Sequence, residues 1–270
     1  MGAAILLQEV QDGVATISFN RPKELNAIDN ALGIALCEAL HEAEQDPNIR
    51  CVVLRGNGSH FMAGGDINSF DATLNKDEWV RRRATGELAI HAHEAVETIR
   101  RMDKPVVASL RGAAAGFGMS LMLACDLAVA SEKSFFTLAY CHIGLSPDGG
   151  SSYFLPRSVT FKQAMEIALL GDRFDAKRAY ELGIVNWVVA DEALEEKTVE
   201  IATRLASGPA KTLGRTKALL NHSSAYGTTL EGQLRMEERG IMDSAAGEEF
   251  AEGIRAFLAK RKPNFPKPSS

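Results

Sequence analysis

The sequence predicts an α/β fold, with a strand-and-helix core over residues 1–200 and a helical region over residues 201–270. Three features carry that prediction. Apolar runs of strand length alternate with segments of helical period through the first two thirds of the chain. Two loops rich in glycine and alanine each follow such a run, where open α/β sheets place their ligand sites. Beyond Gly150 the period becomes almost wholly helical. A chain of 270 residues has room for one large core with an appendage.

In order, Ile5–Val10 and Val14–Phe19 flank Asp12-Gly13, a pair suited to a tight turn, and predict a hairpin. Asp29 or Asn30 can cap a helix whose apolar positions Leu32, Ala35, Leu36, Ala39 and Leu40 share one face, ending before Pro47. Cys51–Leu54 reads as a buried strand, followed by the first glycine loop, which includes Ala63, Gly64, Gly65 and Asp66. A long helix is predicted from Asp77 to Met102, stopped by Lys104-Pro105, with a strand at Val106–Leu110. The second loop, Gly112–Gly118, opens an apolar helix that ends near Cys125, and Leu127–Ala130 is a short strand. Further helices are predicted near 160–170, 175–182, 191–207, 210–220, 226–243 and 247–260, with a strand at Ile184–Val189 between them. No fixed-period repeat is visible, and the one low-complexity stretch is the tail from Lys262 to Pro268.

Composition narrows the function classes. Hydrophobic residues make up 46% and charged residues 24%, with a net charge of −5, so no overall positive field draws in nucleic acid. The basic runs Arg81–Arg83 and Lys260–Lys262 are short enough to be solvated helix faces. The 4 cysteines show neither a CxxC pair nor the spacing of a disulfide framework. Without a charged and apolar leader or a long apolar run, the expectation is a cytoplasmic protein that does not enter a membrane.

The two small-residue loops can aim backbone N–H groups at one point, because glycine and alanine permit close approach. A carbonyl placed there would be stabilised as an oxyanion. The alternative is that Gly112–Gly118 only lets a helix pack closely on the sheet.

KPVVASLRGAAAGFGMSLMLACD over residues 104–126, with FMAGGDI over 61–67, resembles the enoyl-CoA hydratase/isomerase (crotonase) superfamily. RPKELNA (21–27), PDGG (147–150), LGDRFDA (170–176) and LGIV (182–185) extend the resemblance from about residue 5 to 260. The resemblance implies a crotonase-like spiral of ββα units with a C-terminal helical trimerisation region. It also implies an acyl-CoA thioester substrate and a homotrimer or dimer of trimers. Coenzyme A enters as part of the substrate, so no separate cofactor is expected. By position, Gly65 and Phe117 are the oxyanion-hole donors, and Gly116, Ser120 and Tyr140 border the acyl pocket. Leu25, Ala27, Ala63, Asp66 and Ile67 fall where family members cradle the pantetheine arm and adenine, mostly through backbone atoms. Phe117 stands where a small residue is usual, which changes pocket shape more than a main-chain donor.

The carboxylates then distinguish reactions. Family hydratases carry two glutamates, at positions held here by Ser120 and Tyr140, and hydration needs water oriented and a proton delivered. Asp148 remains, where several enoyl-CoA isomerases of the superfamily carry their acid. A Δ3,Δ2-enoyl-CoA isomerase needs one such group. Asp148 could instead be a helix N-cap after Pro147.

An aryl-CoA dehalogenase-like enzyme would use Asp148 as nucleophile with a histidine on the preceding long helix. Spacing from Pro105 puts that position at Glu97, with His93 one turn away, so the pattern reads as incomplete. A scaffold that binds acyl-CoA without turnover is the non-enzymatic alternative. His91 and His93 point to opposite sides of a helix, so no metal pair is read there. Cys141 and His142 are read as packing residues, and Gly118–Met122 lacks GxSxG.

Overall fold

The computed structural model describes residues 4–225 and 227–266. Strands β1 (Leu6–Gln11) and β2 (Val14–Phe19) pair antiparallel across Asp12 and Gly13, both at positive φ. Asp29 accepts the Leu32 N–H and starts α1 (Asn30–Gln45), which buries Leu32, Leu36, Ala39 and Leu40. Next come β3 (Cys51–Gly56), α2 (Ile67–Leu74), α3 (Glu78–Arg101) and β4 (Val106–Leu110). The chain continues through β5 (Ala113–Ala115), α4 (Phe117–Ala124), β6 (Leu127–Ser131) and β7 (Phe135–Thr137). α5 (Ser151–Ser158), α6 (Phe161–Leu170), β8 (Phe174–Asp175), α7 (Ala176–Glu181) and β9 (Trp187–Val189) follow. Four helices close the chain: α8 (Leu194–Ala206), α9 (Ala210–Ser223), α10 (Leu230–Ala245) and α11 (Glu248–Leu258).

The six-stranded sheet runs β1-β2-β3-β4-β6-β9 and is parallel from β2 onward. After each long strand the chain bends and contributes a short extended piece to a second ladder. Ile28 pairs with Gly65, Met62 with Ala114, and β5 with β7. Each turn of the spiral therefore supplies a long strand, a short strand and a helix, which is the ββα unit implied by the resemblance. Val52 and Leu54 of β3 face the main core, whereas Cys51 and Val53 lie under α8. Apolar cover on both faces explains why these strands read as continuous apolar runs.

The structure adds α2, α5, β5, β7 and β8, which the sequence pattern did not single out. The strand predicted at Ile184–Val189 begins at Trp187, because the N–H groups of Ile184 and Val185 turn back to Ala179 O in α7. Residue 200 falls inside α8, whose Leu194, Ile201 and Ala202 pack against Val107 and Val129, so the helices beyond the sheet start at α9. The helix predicted over 226–243 starts at Leu230; position 226 and the last residues of the tail lie outside the described residues. Two polar contacts tie this region to the core and to itself. Lys217 of α9 is buried 2.8 Å from Asp126, and Glu249 of α11 accepts the N–H groups of Lys211 and Thr212 at the start of α9. Among the described residues no helix is long and apolar enough to cross a membrane.

Candidate active site

The two glycine loops are laced together by backbone hydrogen bonds. Met62 N–H donates to Ala113 O (3.0 Å), and Ala115 N–H donates to Met62 O (2.9 Å). Gly116 sits at φ 50° and ψ −123°, a conformation that favours glycine, and starts α4 with its own N–H on Thr137 O. Gly118 approaches even closer: a Cβ there would lie 2.2 Å from Met62 O. At Gly64 a Cβ would be 3.6 Å from the Phe117 nitrogen, so the loops meet where the candidate donors are.

The bridge to Ile28 uses Gly64 O and Asp66 N, which turns the Gly65 N–H away from the ladder. Phe117 occupies the first position of α4, where an amide has no intrahelical acceptor. Among the described residues neither N–H donates to the protein. Two unengaged N–H groups on adjoining loops are what a ligand oxygen requires of such a pair. The Phe117 ring is buried and packs on the 148–149 turn, since a Cβ at Gly149 would lie 2.7 Å from it and 2.9 Å from Ser120 Cβ.

Asp148 is the carboxylate in that turn. Its side chain caps no helix: α5 has Gly150 as its N-cap with no side-chain hydrogen bond, and the Asp148 backbone carbonyl accepts from Ser151. The Tyr140 hydroxyl donates to Oδ1 at 2.5 Å. Ser120 Oγ lies 3.1 Å from that hydroxyl and, the tyrosine proton being engaged, donates to it. Burial, then the neighbouring Asp148 charge, push the Tyr140 pKa well above the usual tyrosine range, so the phenol stays protonated and donating. The side chains at the two positions lacking glutamate thus form a hydroxyl chain that ends on the remaining carboxylate.

His93 was expected one turn from the relevant position, with Glu97 in its place. The structure corrects this: His93 Nε2 lies 4.0 Å from Asp148 Oδ2 and accepts the Gly149 N–H at 3.3 Å, whereas among the described residues no hydrogen bond or ion pair joins Glu97 to Asp148. That hydrogen bond leaves the neutral imidazole proton on Nδ1. As expected, His91 turns the other way, toward α1, where Cys37, His91 and Glu94 hold their donor atoms within 4.8 Å of one another. Burial, then Glu94, push the Cys37 thiol up to about 11, so it is a thiol at neutral pH, and it donates to the His91 carbonyl.

An apolar cavity of about 780 Å³ lies between α2 and α3, next to the first loop. Ile67, Phe70, Leu74, Gly86, Ala89 and Leu145 line it, and Arg81 and Arg82 border it, Arg82 being largely exposed as a solvated helix face predicts. Phe70 abuts Gly65, where a Cβ would lie 2.8 Å from the ring. A second recess of about 390 Å³ lies on the outer sheet face beside α8, near Arg55 and Glu195, away from these groups.

The remaining predicted residues gather around the first loop. Leu25 is left-handed (φ 53°) and 44% exposed, and its carbonyl accepts the Ala63 N–H. Ala27 is buried beside Ile28. Asp66 is turned inward, 2.8 Å from Arg21, and accepts the Asn68 N–H to cap α2. Burial raises its pKa, but Arg21 and the Asn68 N–H outweigh this and hold it below the usual range. With its own N–H on Ile28 O, Asp66 holds the loop in place from behind.

The family described as enoyl-CoA hydratase/isomerase matches residues 9–268. The 1,2-epoxyphenylacetyl-CoA isomerase of Escherichia coli (strain K12) is 35% identical over 261 residues, 96% of this chain and 97% of that protein. The 4-chlorobenzoyl coenzyme A dehalogenase-1 of an Arthrobacter species is 34% identical over 252 residues, covering 93% of this chain and 90% of that protein. The crystal structure of an enoyl-CoA hydratase from Polaromonas sp. JS666 superposes with a TM-score of 0.90 at 34% identity, over 97% of this chain and 99% of that one.

Proposed function

The chain belongs to the enoyl-CoA hydratase/isomerase family and adopts its crotonase-like spiral, and from that premise we propose that it is a Δ3,Δ2-enoyl-CoA isomerase. One observation supports the reading: Asp148, in the turn packed on the Phe117 ring, is backed by hydroxyls at Tyr140 and Ser120 rather than by a second acid. A single carboxylate serves a reaction in which one group takes a proton and gives it back.

In this reading the thioester oxygen of a 3-enoyl-CoA lies between the Gly65 and Phe117 N–H groups. Asp148 removes a proton from C2, and the electron pair moves into the carbonyl to give a dienolate, whose oxygen the two amides stabilise. The protonated Asp148 then delivers the proton to C4, the double bond moves to C2–C3, and the carboxylate is restored. Tyr140 holds Oδ1, leaving Oδ2 to face the substrate. Backbone groups at Leu25, Ala27 and Ala63, with Ile67, would receive the coenzyme A arm. No metal or redox group takes part in this scheme, and the assembly is proposed to be a trimer or dimer of trimers.

The test is a panel of 3-enoyl-CoA thioesters in deuterated water. Double-bond migration with deuterium entering at C2 or C4 is expected. Binding without migration or exchange would leave only a scaffold.

The His93–Asp148 contact favours one second reading. There Asp148 attacks the ring carbon of an aryl-CoA and displaces halide. Once its Nε2 is released from the Gly149 N–H, His93 deprotonates a water that hydrolyses the aryl ester. His93→Gln separates the two: isomerisation stays within about tenfold, whereas the hydrolytic reaction loses its general base and falls by about 10²–10⁴.

A further inference from the structure

Glycine inside a helix interior is destabilising relative to alanine and is retained where space is needed. Gly86 lies in the middle of α3, and a Cβ built on it meets nothing within 4 Å. Packing therefore does not demand glycine there. What Gly86 does is line the apolar cavity whose Phe70 ring abuts Gly65.

The cavity wall is regular. From His93 at the catalytic centre, the α3 residues on the wall are Ala89, then Gly86 and Thr85, then Arg82 and Arg81. On α2, Ile67, Phe70 and Leu74 line the facing side at the same helical spacing. With a rise of 1.5 Å per residue, Ala89 lies about 6 Å, Gly86 about 10 Å and Arg82 about 16 Å along α3 from His93. Those distances match extended acyl chains of roughly five, eight and twelve carbons.

We propose that this face of α3 is a ruler for the acyl group: Ala89 and Gly86 keep the cavity open, so the site takes apolar acyl chains of roughly eight to twelve carbons, or acyl groups of similar length that end in a ring, up to the arginines at its edge. The inference rests on reading this cavity as the acyl site. It does not depend on which reaction follows, because saturated acyl-CoAs bind without reacting.

The experiment measures dissociation constants of butyryl-, octanoyl- and dodecanoyl-CoA for the wild type, Ala89→Leu and Gly86→Leu. In the wild type each added methylene is expected to tighten binding by roughly fourfold until the chain passes Arg82. Gly86→Leu should lower the ratio of dodecanoyl- to butyryl-CoA affinity at least tenfold and spare the octanoyl ratio. Ala89→Leu should lower the octanoyl ratio as well. Gly86→Ala is the folded control, expected to keep the wild-type ratios. Affinity that ignores chain length in the wild type would overturn the ruler. So would a Gly86→Leu protein, with a wild-type thermal melt, that weakens all three ligands alike or none. Isomerase activity lost from the panel above while the length ratios hold would instead overturn the reaction assigned to the site.

Discussion

At the scale of single residues, the site is a short hydrogen-bond chain with one carboxylate at its end. Asp148→Asn keeps the shape and the Tyr140 contact but removes the base, so isomerisation should fall by about 10²–10⁴ while acyl-CoA affinity is retained. Tyr140→Phe removes only the donor to Oδ1, and a hydrogen bond to a charged group is worth about 1.5–3 kcal/mol, so a loss of roughly tenfold to a hundredfold is expected. If Asp148→Asn keeps its rate, Asp148 is not the base; if it instead loses acyl-CoA affinity, it was holding the pocket. Asp148 was legible because it stands in a contiguous motif beside Pro147 and Gly149. His93 was not. Helical period put His91 and His93 on opposite sides without saying which faced the site, and counting from Pro105 slipped by one turn. The contact that fixes the register is with the Gly149 amide, far along the chain.

At the scale of elements, long periodic helices were legible, because an apolar face repeated over several turns needs no knowledge of its partner. α1 and α3 lie within a residue or two of their predicted limits. The short strands β5, β7 and β8 were hidden. Two or three residues carry no period, and their extended shape is imposed by neighbours from other turns of the spiral, as Met62 imposes it on Ala114. The same context decides what glycine is for. Gly86→Ala on α3 should raise the melting temperature, because the methyl meets nothing and helix propensity improves. Gly118→Ala on α4 should do the opposite. Its methyl would lie 2.2 Å from Met62 O, so the backbone leading to Gly65 must move, at a cost of about 1–3 kcal/mol. Turnover should fall with it, since the proposed oxyanion donors are positioned by that contact. Thermal melts and turnover on the two variants check both signs, and a Gly118→Ala enzyme with wild-type values would show that the close approach is dispensable.

At the scale of the whole molecule, the polar ties of the last helices are satisfied internally while their apolar faces are not. Glu249 seals the start of α9 and Lys217 anchors it to Asp126, so α9 to α11 are held to the body of the chain. Yet Leu230 is 75% exposed, Ile241 70% and Phe257 82%. On α10, Leu230, Leu234 and Ile241 recur at helical spacing on one stripe. Exposed apolar residues scattered singly are ordinary, but a stripe continued by Phe257 and Leu258 of α11 is the kind of surface that another subunit covers. The expected species by light scattering at micromolar concentration is therefore a trimer, or a dimer of trimers, of the 29.2 kDa chain. Leu230→Lys with Ile241→Lys should shift it to smaller species and leave the sheet's circular dichroism intact, because neither side chain is part of the main core. A wild-type monomer would mean that these faces need no second copy. An unshifted oligomer in the double variant would move the contact elsewhere, to the exposed Phe161, Met165 and Leu169 of α6, the other apolar stripe at helical spacing.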